Sequence, residues 1–322
     1  MYQSNFLHHL RAELPENTSI IDAVATALEI SYDAAHRRVS LKSKFSLDEA
    51  IVLAKYYNIS LDRLFETTSK SFLTVEKTNS IATEKELQLY FEDTYQSLAP
   101  LLKEKDCSIL YSAKDIPLFY SLNGDALSRF KYYAWLKLLN PKLATKSFEN
   151  FSPSSTLIEA GKKLGSLYHN LNTQEIWDIT TINSTLKQIH FYFHAGQLSY
   201  KTALDLCDLL KNLIDAILSK LVQNNETYKL YYNELYLMNN NVLVNASAMQ
   251  MLYVPFTLLS YYKTSDKHTC KEAEAFLNKQ LLNSKLLNTA GEKERSTFFN
   301  KMYTKIDTLK NLIEAIQILD FE

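Results

Sequence analysis

Glycine and proline are nearly missing from this sequence, with five and six among 322 residues. Turn-rich sandwiches and barrels need both residues at strand after strand, so their scarcity argues against an all-β architecture. Cysteine is also scarce. Cys107, Cys207 and Cys270 are odd in number and far apart, which fits neither a disulfide framework nor a metal knuckle and is expected of reduced core thiols in a cytoplasm. Neither sign of charge is in excess, since 35 Lys and Arg face 36 Asp and Glu. The N-terminal MYQSNFLHHLRAEL has no basic region followed by an apolar run, so no signal peptide is expected. The longest uncharged stretch, Leu235 to Tyr262, is broken by Asn239, Asn240, Asn241, Asn245, Gln250 and Pro255, so no membrane span is expected.

What is present is a chain 46% hydrophobic and 22% charged, the balance of a soluble globular protein long enough for one large or two smaller cores. Leu, Lys, Ser and Ala are the commonest residues, and plentiful Leu, Lys and Ala with little glycine or proline favours helices.

Helical punctuation is dense at the start. Phe6, Leu7, Leu10 and Leu14 recur at helical spacing until Pro15 ends the run. Ser19 precedes IIDAVATAL, Ser31 precedes YDAAHRRVS, Ser46 precedes LDEAIVLAKYYN and Ser60 precedes LDRLF. Each serine is placed to accept a hydrogen bond from a free first-turn N–H. The pattern predicts five short helices, the second and third separated by Glu29, Ile30 and Ser31 alone.

These residues resemble the Cro and phage-repressor-like (XRE-type) helix-turn-helix domain of bacterial transcription regulators. Ala25 falls where that family keeps a small residue, Ile30 where it keeps an apolar turn residue, Ser31 where it caps the recognition helix, and YYNISLDRLF resembles its last turn and helix. Glu29 stands where the family often has glycine, so it must accept a left-handed conformation or reshape the turn. The resemblance implies a lambda-repressor-like headpiece that binds double-stranded DNA.

Arg37, Arg38, Lys42 and Lys44 lie close together with no acidic residue among them. With Ala35 and Val39 turned to the core, helical rotation sets Tyr32, Asp33, His36, Arg37 and Ser40 on the outer face. That face would meet base edges, Arg37 reading guanine through two donors, while Arg38, Lys42 and Lys44 would neutralise phosphates. The candidate DNA-binding set is thus Ser31, Tyr32, Asp33, His36, Arg37, Arg38, Ser40, Lys42 and Lys44. Against it, residues 1–67 carry seven Lys or Arg and nine Asp or Glu, a net charge of −2. A protein-interaction adaptor is therefore the rival reading of the headpiece.

The polar stretch ETTSKSFLTVEKTNSIATEK reads as a linker, giving domains at 1–67 and 81–322 joined through 68–80. Long helical patterns follow, clearest at 202–222 and 305–319. NELYLMNNNVLVNA, residues 233–246, alternates on both sides of an asparagine cluster and predicts one short β-hairpin. The expected fold class is mainly α, a five-helix headpiece plus a larger helical domain with that hairpin.

Chemistry is sparse beyond the headpiece. His190 and His194 are four apart like two metal ligands, but no third ligand stands near, and no metal or cofactor is expected. Lys293 and Arg295 in GEKER read as a solvated helix start, without a phosphate loop to complete an anion site. No nucleophile motif, glycine-rich cradle or carboxylate pair points to an enzyme. The 21 tyrosines exceed what an aliphatic helical core requires. They are read as core residues with hydroxyls at the surface, some lining a pocket for a small-molecule or peptide effector. The layout resembles regulators whose large C-terminal part dimerises and senses a signal, including peptide-sensing ones, although the 34-residue tetratricopeptide pattern is missing. The expectation is a cytoplasmic, homodimeric transcription regulator that is not an enzyme. Its alternatives are the adaptor and an effector whose C-terminal domain binds a nucleotide or peptide.

Overall fold

The computed structural model describes residues 2–15, 17–57, 59, 61, 73–104, 106–143, 146–223, 226–235, 239–247 and 249–319. The chain divides into two compact units, Met1–Thr74 and Val75–Glu322.

The first unit contains α1 (Tyr2–Glu13), α2 (Ile20–Leu28), α3 (Tyr32–Val39) and α4 (Leu47–Tyr56). Ser19, Ser31 and Ser46 cap α2, α3 and α4, each side chain accepting from the backbone N–H three residues on. At α4, Glu49 reaches back to the Ser46 N–H and completes a capping box. Such a cap stabilises a helix by about 1 kcal/mol. The helix expected after Ser60 lies, apart from Leu61, outside the described residues. Phe6, Leu7 and Leu10 of α1 pack with Val24, Ala27, Ala35, Leu53 and Ala54 into a core of this unit's own.

The second unit overturns the expected fold class. It is an α/β fold, built on an eight-stranded mixed sheet among the described residues rather than on one hairpin. The strands are β1 (Glu76–Lys77), β2 (Ser108–Ser112), β3 (Thr173–Trp177), β4 (Tyr228–Tyr232), β5 (Val242–Asn245), β6 (Gln250–Pro255), β7 (Tyr261–Thr264) and β8 (Lys285–Leu286), in the order β1-β7-β6-β5-β2-β3-β4-β8. The central β2, β3 and β4 are parallel, with Ile109 opposite Thr173 and Thr173 opposite Tyr228. All other pairings are antiparallel. β1 and Thr78, within the stretch read as a linker, are hydrogen-bonded to the sheet edge at β7.

The helices between strands are α5 (Glu84–Leu98) before β2, α6 (Ala126–Leu139) and α7 (Ser155–His169) crossing from β2 to β3, and α8 (Asn183–His194) and α9 (Tyr200–Val222) crossing from β3 to β4. α10 (Lys267–Leu282) follows β7, and α11 (Glu292–Leu319) closes the described chain. Alternate residues divide between the sheet's faces. Ile109, Tyr111, Trp177, Tyr228 and Leu230 enter the large core that includes Phe91, Phe130, Leu164 and Ile214. Leu110, Ile176, Leu243 and Leu252 enter a smaller one with Cys270 and Leu277 of α10. Buried on both faces, β2 and β3 show no hydrophobic alternation, so SILYS and TQEIW carry no strand signal of their own.

The expected hairpin at 233–246 is also corrected. β4 ends at Tyr232 and pairs with β3 and β8, whereas β5 pairs with β2 and β6, and just beyond that second pairing Ala246 and Met249 exchange backbone hydrogen bonds. The asparagines instead fasten the end of β2. Ser112 donates its Oγ–H to the Asn239 carbonyl at 2.7 Å and its N–H to the Asn241 carbonyl at 2.9 Å, and the Asp115 N–H donates to Asn240 Oδ1 at 3.0 Å.

Candidate nucleic-acid interface

The three-residue joint between α2 and α3 shows how Glu29 is accommodated. Its φ and ψ are 53° and 41°, the left-handed conformation, and its N–H reaches the carbonyls of Ala25 and Thr26. The Ile30 N–H donates to the Ala25 carbonyl at 3.1 Å, so the last carbonyls of α2 are satisfied as they are when glycine closes a helix. A side chain in this conformation costs about 1–2 kcal/mol, and the next residue, half-buried Ile30, packs against the core of this unit.

α3 turns the fully buried Ala35 inward, with Val39 half-buried against the same core. Tyr32, Asp33, His36, Arg37 and Ser40 are exposed, as the helical rotation requires. Ser31 caps the helix through the Ala34 N–H at 3.3 Å, and the Ser40 hydroxyl donates to the Arg37 carbonyl at 3.3 Å. Tyr32 is 54% exposed at the first turn. The Arg37 side chain makes no hydrogen bond or ion pair with the described residues.

Arg38, expected at a phosphate, is engaged within the headpiece. Its Nε donates to both oxygens of Glu49 at 3.0 and 3.1 Å, its Nη2 to Oε1 at 2.6 Å, and its Nη1 to the Ala34 carbonyl at 3.0 Å. The pair is half-buried, at 22% and 21% exposure, and Arg38 holds the Glu49 carboxyl below its ordinary range. Arg38 therefore fastens α3 to the capping box of α4. The signal for this was in SLDE, residues 46–49, a Ser-x-x-Glu box whose carboxylate can take a second donor.

Gln3 was not anticipated from the sequence. Its Nε2 donates to the carbonyls of Arg38 and Ser43, both at 2.8 Å, while its Oε1 accepts from the Phe45 N–H at 3.1 Å. One α1 side chain thus clamps both ends of the loop that carries Lys42 and Lys44. Both lysines are exposed and unpaired among the described residues. A glutamine near a chain start carries no motif, so only the fold reveals this contact.

In the second unit the polar centre is Glu175, wholly buried in β3. Tyr168, Tyr120 and Tyr228 donate their hydroxyls to it at 2.6, 3.0 and 3.2 Å, and the Trp177 indole N–H donates at 2.9 Å. Burial raises the Glu175 pKa, and the four donors oppose that rise. Lys220 of α9 lies over the rings of Tyr120 and Tyr228 and meets His169 Nδ1 at 3.0 Å. Burial, aided by the Lys220 charge, lowers His169 to about 4. These tyrosine hydroxyls were expected at the surface and instead satisfy a buried carboxylate. With every carboxylate position occupied, the cluster braces the core.

The other sequence candidates scatter. His190 and His194 have ring centroids 6.1 Å apart, and no group of three metal-ligating side chains occurs among the described residues. Arg295 donates to the carbonyls of Leu287 and Ala290, and Lys293 stands on α11 without an anion cradle. No described helix is long and apolar enough to cross a membrane. No family model matches the chain, and neither a curated protein nor a solved structure does.

Proposed function

We propose that the first unit is an XRE-type helix-turn-helix domain that binds double-stranded DNA in a sequence-specific manner, and that the protein regulates transcription as a homodimer. The observation that carries this reading is the exposed face of α3, where Tyr32, His36 and Arg37 stand clear beside Lys42 and Lys44. A recognition helix of this kind enters the major groove, and Arg37 is the residue suited to a guanine. Lys42 and Lys44 would meet phosphates, while Arg38 holds α3 in place. One headpiece with so few phosphate contacts binds weakly, and two linked headpieces gain affinity through effective concentration. The second unit would supply dimerisation and sensing. Selection of bound sequences from a random DNA pool tests the reading. Recovery of a two-part consensus is expected, and a pool that stays random at moderate salt would leave the headpiece as a protein-interaction module.

A further inference from the structure

Two confluent cavities open between α5 and the β1–β7–β6 edge of the sheet, wholly within the second unit. The outer encloses about 380 Å³ and the inner about 70 Å³, and Thr78, Tyr90, Thr94 and Tyr253 line both. Helix periodicity explains the division of α5. Tyr90, Thr94 and Leu98, four apart, wall the inner recess, while Glu86, Asp93 and Ser97 line the mouth. The recess is finished by aliphatic Ile109 and Val244 and by Phe119, which stacks on Tyr168 at 4.0 Å. Tyr111 and Tyr261 hydrogen-bond to each other on its wall. An apolar recess opening into a polar mouth of this size is the usual form of a small-molecule site.

Charge at the mouth selects the ligand. Glu76 is paired with Lys263 at 2.9 Å. Glu86 is occupied by the N–H groups of Ala82 and Thr83 and the Thr83 hydroxyl, and Lys77 lies over the Phe256 ring at 4.9 Å. The Asp93 carboxylate has no partner among the described residues. The uncommitted charge is therefore negative. We infer that this cavity binds a small organic cation, an ammonium group carried on an aromatic or branched aliphatic body, with the body in the larger outer cavity against Tyr90 and Tyr253, which line both, and the ammonium against Asp93.

The site is tested on the full-length chain without DNA, so its outcome is separate from that of the DNA-binding reading. Calorimetric titration with 4-phenylbutylamine is compared with 4-phenylbutyrate, which has the same body and the opposite charge, and with butylamine, which lacks the ring. The aromatic amine should bind best. Asp93→Asn, an exposed change on a helix surface, should weaken the amine by about threefold to tenfold and leave the carboxylate no weaker. Thr94→Phe, which fills the junction of the two cavities, should abolish binding. No heat from the amine at millimolar concentration, equal affinity for amine and carboxylate, or an Asp93→Asn protein that binds the amine like the parent would each overturn the assignment.

Discussion

Arg38 and Glu49 lock together through three side-chain hydrogen bonds, the shortest 2.6 Å, and join the exposed helix α3 to the first turn of α4. A charge that looks like a phosphate ligand in the sequence is thus a strut in the fold. Arg38→Ala and Glu49→Gln should each lower headpiece stability by about 1–2 kcal/mol, as expected for charge-assisted bonds at a half-buried position. Because the Glu49 pKa is lowered from 4.5, the pair's contribution is full above pH 4.5 and is lost as pH falls through the folded value. Chemical denaturation of residues 1–74 in the intact chain, followed by the signals of Tyr56 and Tyr57, would measure it. An undiminished midpoint in both variants would contradict the strut.

Arg37 and the lysine pair should separate base reading from phosphate contact. Arg37→Ala is expected to cost about 1–3 kcal/mol on the best sequence and to relax preference at one base pair. Lys42→Ala with Lys44→Ala removes up to four contacts in a dimer and should flatten the dependence of log K on log salt by about 3–4 while keeping the preference. Isotherms at several salt concentrations on the best and a scrambled sequence suffice. A double variant with the parent slope would place those lysines off the backbone.

His169 should make the second unit acid-sensitive. Its folded value of about 4 is depressed from 6.5, so the stability it contributes is complete above 6.5 and is lost as pH falls towards 4. By linkage the loss is at most about 3 kcal/mol. Glu175 acts in the opposite sense. Its raised value means that the stability linked to its protonation is full below 4.5 and is lost as pH rises through the folded value. Urea unfolding between pH 7 and 4 should show a smaller acid loss in His169→Asn than in the parent. Parallel curves would remove His169 from the account.

Gly161 is held small by one hydroxyl. A Cβ there would stand 2.2 Å from Tyr132 Oη, the tip of a fully buried ring on α6. That hydroxyl has no hydrogen-bond partner among the described residues. Gly161→Ala should therefore destabilise by about 1–3 kcal/mol through overpacking. Tyr132→Phe removes an unsatisfied buried polar group and should be neutral or stabilising by about 1 kcal/mol. In the double variant the alanine should cost markedly less, and a cycle with no coupling would show that the clash relaxes elsewhere.

The sequence by itself determined the headpiece helices and the outward face of α3. Their signals are local: the serine caps act over three residues, and the rotation from Ala35 to Arg37 follows from helix geometry alone. The long runs that became α9 and α11 were legible for the same reason. Tertiary structure alone decided the rest. β2 and β3 are five residues each and buried on both faces, and the partners that make them strands lie 55 or more residues away, so they leave no local period. Nothing local marks Glu175 as buried; only the fold brings three tyrosines from separate elements and Trp177 around it. Arg38 reads as a DNA contact until α4 brings Glu49 to it, because a charge is assigned by what the fold sets beside it.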